Sequence, residues 1–160
     1  MRAGLDKCQA GARELRASIV ARIDEPIRAP ISADEEAVLA ANQAFYDAFE
    51  AADIDAMSAL WERSARALCT HPGWATRRGW GPIAASWFAL FRNQQHLQFI
   101  ITRPEVVVQG DVGWVTLDEN LLDSGAGGTG GTVSALNVFT RSSDGWRMVV
   151  HHGSPVVANS

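Results

Sequence analysis

Four runs rich in β-branched and aromatic residues close the chain, and they constrain its fold more than any other feature. They cover residues 96–109, 112–123, 132–141 and 145–152. Gly110-Asp111, a glycine-rich stretch over 125–131 and Ser143-Asp144-Gly145 separate them, and such residues mark the turns between antiparallel neighbours. Pro104 lacks a backbone donor inside the first run, so a bend or bulge is expected there.

The part before these runs reads as helical. Ser32 and Glu35 make a capping-box pattern ahead of Val38, Ala41, Phe45, Ala48 and Ala52, which recur at helical spacing. Asp53 opens a second, shorter helix with Ile54, Met57, Leu60 and Trp61 on one face. Ala65–His71 alternates as a strand, and Gly81-Pro82 starts a third helix striped by Ile83, Trp87, Leu90 and Phe91. Helices followed by a long meander give an α+β class, with the helices on one face of a curved sheet. A chain of 160 residues with 47% hydrophobic content forms one domain with a real core. The expected domain is 32–157, behind an N-terminal extension, 1–31, that is a mobile arm or a short helix over Ala12–Ile23.

A formal charge of −4 with no clustering of Lys and Arg beyond Arg77-Arg78 excludes nucleic acid as an expected partner. The apolar runs fall short of a bilayer span and no signal-peptide pattern opens the chain, so no membrane association and a cytoplasmic location are expected. Cys8 and Cys69 show neither a disulfide framework nor metal spacing and read as free thiols. The glycines of 125–131 precede a strand, whereas a phosphate cradle needs a helix N-terminus. They read as a flexible hairpin tip.

The chemistry centres on Cys69-Thr70-His71-Pro72-Gly73-Trp74. Pro72 ends the strand's hydrogen bonding and Gly73 permits the turn, which leaves His71 at a strand end, where sites are commonly built. Near its ordinary pKa of about 6.5 a histidine abstracts a proton or activates water. Asn137 alternates with Ala135 and Phe139 and is a candidate hydrogen-bond donor to a developing oxyanion. Of His151-His152, unbroken alternation puts His152 with Trp146, Met148 and Val150 on the core face and His151 outside. Trp74 and Trp80 flank the turn as candidate ligand contacts. Trp61, Trp87, Trp114 and Trp146 fall on core stripes. Asp118 and Asn120 share a face with Trp114 and could reach the pocket, while Glu119 meets solvent. A zinc site would need His71, His152 and a third ligand such as Asp118, for which no spacing motif exists, so no metal is expected.

Phe45-Tyr46, Ala52-Asp53-Ile54-Asp55, Leu60-Trp61, Thr70-His71-Pro72, Arg78-Gly79 and Gly145-Trp146-Arg147, in this order, resemble the nuclear transport factor 2-like superfamily. The likeness runs from about residue 34 to 155 and is strongest to the SnoaL-like and ketosteroid isomerase-like branch. It implies a cone-shaped, cystatin-like α+β fold: three helices packed on a strongly curved, mostly antiparallel sheet, around an apolar pocket. It also implies a homodimer through the outer sheet face. Carried over by position, His71 stands where the isomerases hold their general-base aspartate and Asn137 where they hold the protonated aspartate. Phe45 stands in place of the oxyanion tyrosine, with Tyr46 one step round the helix.

These readings together give a small-molecule-binding protein acting without a cofactor, as an isomerase or dehydratase on an apolar carbonyl or hydroxyl compound. Its expected catalytic residues are His71, Asn137 and His152. Phe45, Tyr46, Trp74, Trp80, Trp87, Trp114 and Asp118 are its expected ligand contacts. The alternatives are a non-catalytic ligand-binding or dimeric association domain, and a polyketide cyclase.

Overall fold

A computed structural model describes residues 30–93, 97–123 and 128–157. The suggested helix over Ala12–Ile23, Cys8, His96 and glycines 125 and 127 lie outside the described residues. Helix α1 (Ala33–Glu50) starts on the expected capping box: the Glu35 N–H donates to Ser32 Oγ at 3.2 Å and the Ser32 N–H donates to the Glu35 carboxylate at 2.8 Å. Asp34, Glu35 and Glu36 in the first turn complement the positive end of the helix dipole. The helix stops before Ala52, whose φ of 51° is left-handed, so the last residue of the apolar stripe lies beyond its end. Asp53 caps α2 (Ile54–Leu60) by accepting from the Asp55 and Ala56 N–H groups. Helix α3 spans Trp80–Asn93.

Strands β1 (Leu68–Thr70), β2 (Arg77–Arg78), β3 (Leu97–Gln109), β4 (Val112–Asp123), β5 (Gly128–Ser142) and β6 (Gly145–Pro155) form one sheet in the order β2-β1-β6-β5-β4-β3. Among the described strands only the β1–β6 pair is parallel. The architecture is thus α+β, three helices on a six-stranded, mostly antiparallel sheet. The first strand is shorter than the run 65–71, and the two-residue β2 carries no apolar pattern that would announce it. Conversely, pairing with β4 draws Gly128–Gly131 into β5 ahead of the expected start at Thr132. Backbone hydrogen bonds, which side-chain patterns do not report, set these ends.

Two bulges decide which side chains face the helices. In β3 the register shifts between Thr102 and Glu105, where Arg103 has a φ of 54° and Pro104 follows. Phe99 and Ile101 pack inward before it and Val106 and Val108 after it. In β6, Val138 pairs with Val150 and Phe139 with Met148, which leaves Val149 unmatched. A single extra residue inverts the alternation downstream: Trp146 and Met148 are buried before the bulge, and His151 and Gly153 after it.

One row of the inner face runs Cys69–His151–Asn137–Val115–Val106 across five strands, and all five are buried. Helix α1 packs tightly on the sheet at Gly113, where an added Cβ would stand 2.7 Å from Val38 Cγ2. Phe45, Trp87, Phe139, Met57 and Met148 fill the core between helices and sheet. Among the described residues no helix is long and apolar enough to cross a membrane.

Candidate functional site

His71 lies one residue past β1, and the Trp74 N–H donates to its carbonyl at 2.9 Å to close the turn. Gly73 supplies the left-handed φ of 79° that the turn needs. Pro72 rests on Gly153 of β6, where any Cβ would meet the proline ring at 3.1 Å. The bare strand position lets the corner close and holds the imidazole over the inner face.

A cavity of about 200 Å³ opens there. Phe45, Phe49, Leu90, Phe99 and Leu121 make its apolar wall, and His71, Glu119 and His151 are its titratable groups. Trp74, 39% exposed, links it to solvent. The two imidazoles stand 6.3 Å apart, and His71 meets the Trp87 ring edge-on at 4.5 Å.

Each polar group is held from behind. Ser86 Oγ donates to the Ile83 carbonyl at 2.7 Å and lies 3.0 Å from His71 Nε2. A hydroxyl has one proton, so satisfying both contacts requires His71 Nε2–H to donate and leaves Nδ1 without a proton, with Cys69 Sγ 4.0 Å away. Asn137 Nδ2 donates to Asn42 Oδ1 at 2.8 Å and to the Tyr46 hydroxyl at 3.2 Å. Its Oδ1 therefore accepts from His151 Nδ1–H at 2.7 Å, which leaves His151 Nε2 bare. Tyr46 completes the chain by donating to Glu119 Oε1 at 2.7 Å.

Burial dominates the electrostatics. It drives the His71 pKa down to about 4, helped by the positive charge of Arg77, and that of His151 down to about 3, helped by His71 and His152. Glu119 is pushed up to about 7 by the same desolvation, only partly offset by the Tyr46 hydrogen bond. The Tyr46 hydroxyl is raised by burial and by Glu119, and it stays a donor. The Cys69 thiol, 3.8 Å from His71 Nε2, is raised by burial and by Glu119, which keeps it protonated and unreactive. At neutral pH the cavity thus holds two neutral imidazoles and one carboxyl that changes charge.

Of the residues singled out from sequence, the structure gathers His71, Asn137, Phe45, Tyr46, Trp74 and Trp87 in or directly behind the cavity. Several placements are corrected. His152 is exposed and His151 is the cavity residue, because the Val149 bulge inverts the alternation. Asp118 lies on the outer face, paired with Arg103. Trp114 lies on that face too, paired laterally with Val107 and Val138. In β4 the residue facing the helices is Gly113, not its bulky neighbour, so Val115, Leu117 and Glu119 turn inward instead of meeting solvent. Trp80 packs beside Trp61 at 6.4 Å, with Arg63 over its ring, away from the cavity. Glu119 and Asn42 are the functional candidates that sequence reasoning missed. The alternation Val115, Leu117, Glu119 carried the signal for the first. Asn42, one turn after Val38 on the buried stripe, carried it for the second.

Among the described residues no group of three or more His, Cys, Asp or Glu is placed to hold a metal ion. The family model described as the SnoaL-like domain matches residues 38–158. The chain belongs to that family. Among solved structures it is similar to a candidate dehydratase of the nuclear transport factor 2-like family from Streptomyces avermitilis. The two are 39% identical, covering 78% of this chain and 97% of the other, with a TM-score of 0.73. It is also similar to a candidate calcium/calmodulin-dependent protein kinase type II association domain from Thiobacillus denitrificans, at 35% identity, 74% and 94% coverage and a TM-score of 0.70. A curated relative, the F-box protein SKIP8 of Arabidopsis thaliana, is 27% identical over 122 residues, which is 76% of this chain and 51% of that protein. The chain spans about half the length of that relative.

Proposed function

We propose that the domain binds a small apolar compound and dehydrates or isomerises it by acid–base chemistry without a cofactor. The observation that carries this reading is the composition of the cavity: an apolar wall with two neutral imidazoles and a carboxyl titrating near 7. Such a carboxyl is a proton donor matched to neutral pH, and a neutral imidazole is a base beside it. In a dehydration, His71 Nδ1 takes the proton from the carbon next to the leaving hydroxyl. The C–H electron pair forms the double bond, the C–O bond breaks, and Glu119 gives its proton to the departing oxygen as water. The proton on His71 then returns to Glu119 through solvent at the cavity mouth. Asn137 and Tyr46 act as positioning residues for His151 and Glu119. Similarity to the candidate dehydratase supports the reading.

The test is a screen of hydroxylated and enone ring compounds followed by ultraviolet absorbance, with His71→Gln and Glu119→Gln as controls. The expected result is turnover in the wild type, reduced at least a hundredfold in either variant. Turnover that survives in both variants, or saturable binding of no screened compound, overturns it.

A second reading, a dimeric association domain, has its own observation. Leu68, Val150, Val138, Trp114 and Val107 form a laterally paired row across the outer sheet face. Ile100, Val107, Val112 and Leu136 are 50, 42, 40 and 36% exposed. Contiguous apolar surface of this kind suits a second copy of the chain, and the likeness to a candidate kinase association domain points the same way. The two readings are compatible, since they use opposite faces of the sheet.

A further inference from the structure

The hydrogen bonds behind the cavity fix the polarity of what it presents to a ligand. Ser86, whose own proton is engaged by the Ile83 carbonyl, draws the proton of His71 onto Nε2. Asn137, whose amide nitrogen is engaged by Asn42 and Tyr46, draws the proton of His151 onto Nδ1. Each imidazole therefore carries one nitrogen without a proton, and neither ring can change tautomer without breaking a buried bond. Glu119, which also lines the cavity, supplies one proton when neutral and none when ionised. Arg77 lies over the Trp74 ring at 5.7 Å and is not part of the cavity lining.

Two fixed acceptors whose rings are 6.3 Å apart ask for two donors on one ligand. We infer that the cavity selects a compact, neutral ring compound bearing two hydroxyl groups, and discriminates against ketones, ethers and carboxylates of the same size. A ketone leaves both bare nitrogens unpaired in an apolar enclosure, which costs binding. A carboxylate meets two lone pairs and a carboxyl, with no cation among the described lining residues to offset its charge. The volume agrees: about 200 Å³ is a little larger than an engineered cavity of about 150 Å³ that holds benzene, a ring without substituents. This inference rests on the proposed small-molecule function and narrows its substrate from carbonyl or hydroxyl compounds to diols.

The probes are catechol, its dimethyl ether, cyclohexanone and benzoate at pH 7. Binding is read by calorimetry, and the proton positions by two-bond proton–nitrogen NMR of the histidine rings. The free protein is expected to show bare Nδ1 on His71 and bare Nε2 on His151. Catechol is expected to shift both nitrogens and to bind at least fivefold more tightly than the other three, the equivalent of one or two ordinary hydrogen bonds. Ser86→Ala frees the His71 tautomer and is expected to shrink that preference severalfold, while Ser86→Thr, which keeps the hydroxyl, retains it. Ether or ketone binding as tight as catechol, or either ring in the opposite tautomer, overturns the inference and leaves the small-molecule function standing. Failure of every probe to bind overturns both.

Discussion

Glu119 shows how a single residue sets the behaviour of the site. Its carboxyl is 4% exposed and titrates near 7, against an ordinary value of 4.5. Between those values the folded state holds a proton that the unfolded state has lost, so this group makes stability fall as pH climbs from about 4.5 to 7. His71 and His151 act in the opposite sense. Their folded values lie near 4 and 3 against an ordinary 6.5, so their contribution is complete above 6.5 and is lost on acidification. Two histidines outweigh one carboxyl below 6.5, and stability is expected to peak between about pH 6.5 and 7. Glu119→Gln is expected to match the wild type near pH 4.5 and to exceed it at pH 8, by on the order of 3 kcal/mol. Urea denaturation at the two pH values checks this, and an equal difference at both would show that the carboxyl does not titrate as described. Activity, on the proposed mechanism, requires bare His71 and protonated Glu119. A bell-shaped kcat/KM profile with limbs near 4 and 7 is expected, and a profile still rising at pH 9 would exclude Glu119 as the acid.

At the scale of elements, the sheet is aimed by residues that carry little side-chain information. Gly113 admits α1 to β4, and Gly113→Ala is expected to cost about 1–3 kcal/mol by forcing Val38 aside. Val38→Ala in the same chain should recover part of that loss, and thermal melts of the single and double variants read the coupling. Equal loss with and without Val38 would mean that the strain lies in the backbone. The same feature explains which parts of the fold were legible. The three helices, the capping box at Ser32 and Glu35, the bend at Pro104 and the four long strands follow from apolar period and turn chemistry. His71 and Asn137 were also legible, the first from Pro72 and the second from clean alternation in β5. The Val149 bulge was not, because an extra residue in a strand leaves no mark on composition. The inward turn of Glu119 was missed because Trp114 outweighed Gly113 as a marker of the core. Bulk draws the eye, whereas the close approach of a helix demands its absence.

Over the described residues the sheet separates two kinds of surface, an inner side that carries the cavity and an outer side with exposed apolar residues, and the same strands build both. If the outer face joins two copies, sedimentation velocity should show a dimer at micromolar concentration. Val107→Lys together with Leu136→Glu should give a monomer that keeps its cavity ligands within about twofold, since neither side chain touches the inner row. A dimer that survives both charges places the contact elsewhere. The consecutive histidines of β6 then gain a use of their own. His151 looks into the cavity, while His152 stands on the outer face beside its strand partner Leu136. Two consecutive residues thus carry two spectroscopic reporters, one on each side of the sheet. Occupancy of the cavity should be visible in the first ring and self-association in the second, so a single titration of the unlabelled native chain can tell whether the two events communicate.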